Sequence, residues 1–377
     1  MKKFGINDCS LLCRPAYFLS LFLLVLLFSC TSHEKSKIGT MRNIQLGDVQ
    51  ETILTHSDVI DIQEWILLDS LQECIIGDVA KIEEFNNEYY LLDKVVQKCV
   101  LVFDGHGKYL RRIGNIGQGP GEYTQICDFT VNKSTGCVAI LSGQSRVYVY
   151  NLAGEFQTEK QVSESVLWSI VSNDCGYFMS SDHRTYTEGE NAYLLYAFDE
   201  NFNLKGKWGQ VLSRQMPTLP LLSSALQAAG NETCYCDIFT NSVYRYICGA
   251  DSVAGIYNIS FPSPMPEMIL SDVMAFMEKQ REYDFICEAV MNETNTLLCY
   301  SRQGSYNLAM VDSGGEVLKN GKYLGRFPKV FHGNDKVLLS PVSANEYLSY
   351  WKEQPVTHYN GVLSDESNFM ILKWSVK

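Results

Sequence analysis

The sequence predicts an all-β fold: a six-bladed β-propeller of four-stranded blades with short helical insertions. Three observations predict it. From residue 77 onward the chain is a succession of short runs rich in Val, Ile, Tyr and Phe, broken by Gly, Asn and Asp, which is the rhythm of strands and tight turns. One turn recurs, in Val102-Phe103-Asp104, Val149-Tyr150-Asn151, Ala197-Phe198-Asp199, a degenerate Tyr246-Ile247-Cys248, and Met310-Val311-Asp312. Positions 104, 151, 199, 248 and 312 are spaced by 47, 48, 49 and 64 residues, and a period of about 40–50 is that of a propeller blade. With 377 residues, 46% of them hydrophobic, the chain can bury a large core, and its composition excludes disorder, collagen and coiled coil.

Within the second repeat, Gln125–Val131 reads as the inner strand, Cys137–Leu141 as the next, Arg146–Tyr150 as the third and Glu155–Val162 as the outer one. Asp and Asn at the hairpin tips satisfy local backbone groups and tolerate left-handed geometry. The 64-residue period holds extra residues that fit Pro262–Tyr283, where Val273, Phe276, Met277 and Gln280 recur at helical spacing and give one apolar side. Such an insertion projects from one face of a propeller, and connecting segments commonly carry recognition. Ser343–Lys352 reads as a second inserted helix, with Ser343 and Glu346 at capping-box spacing. The terminal run Phe369–Trp374 has no hairpin partner after it, and Ile62–Leu68 is an apolar strand ahead of the first blade. The N-terminal strand is therefore expected to complete the last blade and remove an open edge.

Lys2, Lys3 and Arg14 accompany an apolar run, Ala16–Phe28, that is short of the ~20 residues a membrane span needs but suits a signal peptide. It ends in Leu27-Phe28-Ser29-Cys30, which resembles a bacterial lipobox, in which the cysteine thiol is acylated. The expected organisation is a signal peptide over 1–29, a lipidated tether over 30–50 and the propeller over 51–377. The net charge of -12 repels phosphate backbones, so nucleic acid is not an expected partner. The lipid on Cys30, rather than charge, is expected to hold the protein at the outer membrane. Thr31–Lys37 carries one acid, Glu34, which leaves both the periplasmic face and the cell surface open. A monomer is expected.

Thirteen cysteines are present: Cys9 and Cys13 in the signal, Cys30, and ten in the body. An exported chain is permitted disulfides. Most of the ten sit in apolar strand-like runs, as in Lys98-Cys99-Val100 and Leu298-Cys299-Tyr300, and read as small buried hydrophobes. Cys234 and Cys236 share one face of a strand, but no second pair supplies the rest of a zinc site.

Ile113-Gly114-Asn115-Ile116-Gly117-Gln118-Gly119-Pro120-Gly121-Glu122-Tyr123, directly after a Val-Phe-Asp hairpin, resembles the blade-linking segment of NHL-type propellers. More closely, the chain resembles the six-bladed β-propeller lipoproteins of Gram-negative anaerobes, of NHL/TolB-like type. Asp128-Phe129, Asn241-Ser242-Val243-Tyr244 and Tyr257-Asn258-Ile259-Ser260-Phe261 extend the resemblance over about residues 50–377. The fourth blade departs most, with an ill-defined inner strand near Leu221–Leu226. The resemblance implies the fold and the tether more than an activity.

The motifs point away from familiar catalysis. Gly117, Gly119 and Gly121 enclose Pro120 and precede β-type sequence, which reads as a tight crossover rather than a phosphate cradle. Asp199, Asn201 and Asn203 look like half a calcium loop, but Leu204 stands where glycine is needed, so a hairpin tip is expected. The six histidines form no HExxH, and Gly143–Val147 lacks the last glycine of a nucleophile elbow. No catalytic residue, metal or cofactor is expected. Inner strands are expected to offer Asp78, Asp128, Trp168, Glu288 and His332 to the central channel as a polar and aromatic floor for a ligand. The function expected is a lipid-anchored envelope module that binds a protein, peptide or glycan. The alternative is a lactonase-like propeller enzyme with a metal in the channel, for which Asp128 and Glu288 alone are few.

Overall fold

Six antiparallel sheets carry the chain in the computed structural model, which describes residues 41–47, 52–182, 193–210, 226–229, 232–248, 250–270, 272–291, 295–323, 329–332, 337–352, 356, 363–364 and 368–377. Residues 1–29, expected to be a signal peptide, and Cys30, expected to be lipidated, lie outside the described residues. From the inside outward, blade one is Val79–Phe85, Glu88–Asp93, Cys99–Asp104 and Tyr109–Ile113. Blade two is Ile126–Asn132, Cys137–Ser142, Arg146–Asn151 and Phe156–Gln161, within one residue of the sequence reading at every end. Blade three is Ser169–Asn173, Gly176–Ser180, Tyr193–Phe198 and Leu204–Gln210. Blade four is Leu226–Ala229, Glu232–Asp237, Ser242–Ile247 and Ser252–Ser260; residues 221–225 of its expected inner strand lie outside the described residues. Blade five is Asp284–Met291, Asn295–Arg302, Ser305–Asp312 and Val317–Tyr323.

Blade six is Phe331–His332, Leu338–Val342, Met370–Val376 and, as its fourth strand, Ile60–Leu67. The N-terminal strand runs antiparallel to the C-terminal one, Leu67 opposite Met370 and Ile60 opposite Val376. Trp65 and Trp374 are buried there, and the Trp374 indole donates to Ser340 Oγ at 2.9 Å. Burial of apolar surface comes from blade facing blade: one cluster of buried side chains fills each of the six interfaces.

Two short strands precede this closure. Arg42–Gln45 lies parallel to Ser252–Ser260 as a fifth strand of blade four, and Ile53–Leu54 lies parallel to Val317–Tyr323 on blade five. Arg42–Gln45 falls inside the stretch 30–50 expected to be a tether. Ile44 and Leu46 bury into the cluster between blades four and five, and that burial holds the segment to the propeller edge.

The recurring Asp or Asn caps the hairpin between the third and fourth strands. Asp104 Oδ1 accepts from the amides of His106 and Lys108, Asn151 Oδ1 from Glu155, Asp199 Oδ1 from Asn201 and Asn203, and Asp312 Oδ1 from Glu316. Such Asx bonds satisfy the turn amides locally. The degenerate copy has Cys248 in that place, and Cys248 is bonded to Cys175 of blade three. A covalent staple stands where the side-chain carboxylate or amide is missing.

Strand alternation puts two sets of connections at opposite ends. First-to-second and third-to-fourth connections lie at one end and run to no more than five residues. Second-to-third connections and the crossovers between blades lie at the other end, and both helical insertions are among them. Glu267–Leu270 and Val273–Lys279 sit between blades four and five, with Asp272 capping the second helix through the amides of Met274 and Ala275. Phe276 faces inward, edge-on to Phe285 with ring centres 5.4 Å apart, beside buried Met265, Ile269, Leu270 and Ile238. Met277, expected on that apolar side, instead turns toward solvent, because one short helix resting on a blade end needs only a narrow inward stripe. In blade six, Ser343 Oγ accepts from the Glu346 amide at 3.2 Å and starts the helix Ala344–Tyr350.

Candidate functional site at the channel and the long-connection face

Inner strands of blades one, two and five share a β-bulge. Register slips between Val79 and Lys81, between Ile126 and Asp128, and between Ile286 and Glu288. A bulge re-aims the residue after it. In blade one that residue is Lys81, a buried cation. Its Nζ donates to the carbonyl oxygens of Phe129 at 2.7 Å and Ile170 at 2.6 Å, and lies 3.4 Å from Asp128 Oδ2 and 3.3 Å from Glu83 Oε1. Asp128 Oδ2 also accepts from the Ile170 amide at 2.8 Å, and Glu83 Oε2 from the Val131 amide at 2.8 Å. One ammonium thus joins the inner strands of three blades, and both carboxylates around it are compensated by donors, which is the condition for burying charge.

Glu288 is held separately, its Oε1 accepting from Gln227 Nε2 of blade four at 3.2 Å. Asp78 and Trp168 were expected on inner strands; each stands one residue ahead of its strand, because the ladder with the second strand of the same blade starts at the next residue, Val79 opposite Asp93 and Ser169 opposite Ser180. Asp78 sits at the channel rim with both carboxylate oxygens 3.3 Å from Lys329 Nζ. Trp168 donates its amide to Ser180 O at 2.9 Å and rests partly buried on the cluster between blades two and three. His332 lies on the inner strand of blade six; its side chain is outside the described residues. Among the described side chains, Asp128 serves blades one to three, Glu288 bonds across blades four and five, and Asp78 marks the rim. Lys81 was missed. Its signal was a lone lysine inside Val79-Ala80-Lys81-Ile82, a place where an unpaired charge has no business in a strand.

A channel metal, implied by the enzyme alternative, does not fit these residues. The Asp128 carboxylate already takes an ammonium and an amide, and a divalent cation would have to displace Lys81. Among the described residues no group of three or more His, Cys, Asp or Glu is placed to hold a metal ion. The channel is also narrow: Leu226–Ala229 of blade four and Phe331–His332 of blade six approach within 8 Å between Cα atoms.

The motif residues turn out to be staples between blades. Tyr123 donates to Lys98 O at 3.1 Å, Asn241 Oδ1 accepts from the Ile286 amide at 3.0 Å, and Tyr257 donates to Asp312 O at 3.0 Å. In the glycine run, Gly114 has φ +79° and Gly121 φ +74°, and a Cβ at Gly121 would meet the Phe156 ring at 2.6 Å. Glu122 Oε2 accepts from the Gly119 amide at 2.8 Å, so the crossover uses its own amides. At the Asp199 tip, Asn203 Nδ2 donates to the second carboxylate oxygen at 2.8 Å, which closes the hairpin on itself.

Exposed apolar side chains gather instead on the long-connection face of blade one. Asp93 is buried and accepts from the amides of Gly77, Val95, Val96 and Gln97 at 2.7–3.1 Å. Gln97 Nε2 donates to Ile75 O at 3.1 Å, so two connections are tied into one platform. Ile75, Val95 and Val96 are 47, 59 and 54% exposed on it. Three aliphatic side chains thus stand outward on a base fixed by buried hydrogen bonds.

Fold and site together define a six-bladed β-propeller with a polar-stapled channel and one elaborated face. The chain belongs to the family described as a domain of unknown function (DUF4934), which matches residues 42–372. No curated protein matches the sequence. Among solved structures, a Bacteroides fragilis protein named for its expected export is 18% identical, with a TM-score of 0.69 over 89% of this chain and 100% of that one. A member of the DUF4221 family from Bacteroides vulgatus is 10% identical, with a TM-score of 0.55 over 84% of this chain and 98% of that one. These likenesses concern the fold.

Proposed function

We propose that the protein is a lipid-anchored propeller of the cell envelope that binds a protein or peptide on its long-connection face. The observation that carries this reading is the aliphatic platform of Ile75, Val95 and Val96, pinned by Asp93 on the face that also holds both helical insertions. Aliphatic groups, rather than aromatic plates, favour a polypeptide over a glycan. The anchor is acylated Cys30, in the outer membrane. Export is supported by the lipobox-like Leu27-Phe28-Ser29-Cys30, by the name of the Bacteroides fragilis relative in fold, and by the Cys175–Cys248 disulfide, which belongs to an oxidising compartment. Kinship with NHL- and TolB-like propellers is supported by the 113–123 linker and the blade count.

Affinity capture from an envelope extract tests the binding face. The double variant Val95→Asp/Val96→Asp should lose a partner that the wild type retains, while Glu200→Lys, on the short-hairpin face, should keep it. Equal capture by all three chains would remove the platform from the reading. The anchor is tested apart from it: Cys30→Ser should leave the membrane fraction and stop incorporating palmitate. A variant that stays in membranes and labels would overturn the lipoprotein assignment.

A further inference from the structure

The connection that carries Val95 and Val96 also carries charge. It reads Lys94-Val95-Val96-Gln97-Lys98, two exposed valines with an exposed lysine on either side. Asp93 holds the amides of Val95, Val96 and Gln97. At the other end Lys98 sits at φ +51°, and its carbonyl accepts from Tyr123 at 3.1 Å. Both lysines therefore project from fixed backbone. Arg112, exposed on the outer strand of the same blade, reaches this connection as well. Its Nη2 donates to Gln97 O at 3.2 Å and lies 3.4 Å from Cys99 Sγ, which leaves other N–H donors of the guanidinium for a carboxylate.

None of these three cations is paired with a carboxylate of the chain. The acids on the adjoining connections are engaged elsewhere: Asp93 by four amides, Asp78 by Lys329, and Glu122 by the Gly119 amide. Glu73 alone stands exposed against the three. The whole chain has 43 acids to 31 lysines and arginines, so the sign of its field is reversed here. Surfaces that enter a membrane carry Trp, Phe or Leu, whereas the connection that bears the lysines offers only short valines, which suit close contact with a polypeptide. We propose that the platform binds an acidic polypeptide segment, with aliphatic side chains on Ile75, Val95 and Val96 and Asp or Glu carboxylates on Lys94, Lys98 and Arg112. The inference rests on the reading of this face as a polypeptide-binding surface and adds the charge of the partner.

A library of random peptides displayed on phage is selected on the immobilised full-length protein in mild detergent. The recovered sequences should be enriched in Asp and Glu together with Leu, Ile and Val over the unselected library. A labelled synthetic peptide of the most enriched sequence is then titrated by fluorescence anisotropy. Its affinity for the wild type should fall as salt is raised. Lys94→Glu/Lys98→Glu should bind it about tenfold more weakly with an unchanged melting curve, since both side chains are exposed, and Lys94→Gln/Lys98→Gln should fall between. Enrichment of aliphatic peptides without acids, bound by the lysine variants but not by Val95→Asp/Val96→Asp, overturns the charge assignment and leaves the binding face standing. Acidic peptides that bind wild type and lysine variants equally also overturn it, because their site is then elsewhere. A selection that enriches no peptide overturns both this inference and the polypeptide reading of the face; binding of short-chain phosphatidylglycerol, lost in Lys94→Glu/Lys98→Glu, would then assign the face to an anionic lipid.

Discussion

Lys81 shows how one side chain can decide whether inner strands stay together. Its four contacts reach two carbonyls and two carboxylates, all from channel-facing strands. Lys81→Ala leaves buried Asp128 and partly buried Glu83 without their cation, and removing one partner of a buried pair costs about 3–5 kcal/mol. Urea unfolding should show that loss, and a change within ±0.5 kcal/mol would mean that the amides of Ile170 and Val131 suffice. His56 makes a second residue-level case. It stacks on Trp351 with ring centres 3.7 Å apart, and burial pushes its pKa down to about 4. The unfolded chain then binds a proton that the folded chain refuses between about pH 4 and 6.5, so stability rises with pH through that window and falls on acidification. His56→Phe keeps a stacked ring and removes the proton. Its melting temperature should fall less than that of the wild type between pH 6.5 and 4, and parallel curves would exclude His56 as the titrating group.

The same hairpin recurs around the propeller, and its failure in one blade exposes what holds it. Asp104, Asn151, Asp199 and Asp312 each tie their own turn, whereas blade four relies on Cys248 and its bond to Cys175, 73 residues away in sequence. Loss of a disulfide of this kind costs about 2–4 kcal/mol, mainly by freeing the unfolded chain. The Cys175→Ser/Cys248→Ser variant should unfold at lower urea by that amount, and reductant should shift the wild type equally. Reductant that leaves the wild type unmoved would show the thiols to be free.

Propeller closure is a property of the whole molecule. Val59, Ile60, Trp65, Ile66 and Leu68 are all buried in the last blade or its interfaces. Each such side chain contributes about 1.5–3 kcal/mol on burial, and domains are stable by only about 5–15 kcal/mol. A chain that begins after Leu68 should therefore lose cooperative unfolding and elute as aggregates, since the edge of Met370–Val376 is then unpaired. A truncated protein that melts like the full chain as a monomer would contradict this account of closure.

Fold class, blade period, hairpin tips and the N-terminal closing strand were legible in the sequence, because strand patterning and Asx turns are local and repeat at a fixed spacing. Asp128 and Glu288 were legible as inner-strand residues for the same reason. Their partners were not, since these depend on which neighbouring blade supplies Lys81 or Gln227, 47 and 61 residues away in sequence. The fifth strand Arg42–Gln45 and the outward turn of Met277 were likewise decided by the folded molecule. A short segment takes its place from the edge or surface it meets, and four residues of sequence carry too little pattern to name that surface. The motif residues Tyr123, Asn241 and Tyr257 were readable as a signature, but only the assembled blades show that the signature is one of stapling, because each bond joins segments brought together when consecutive blades pack.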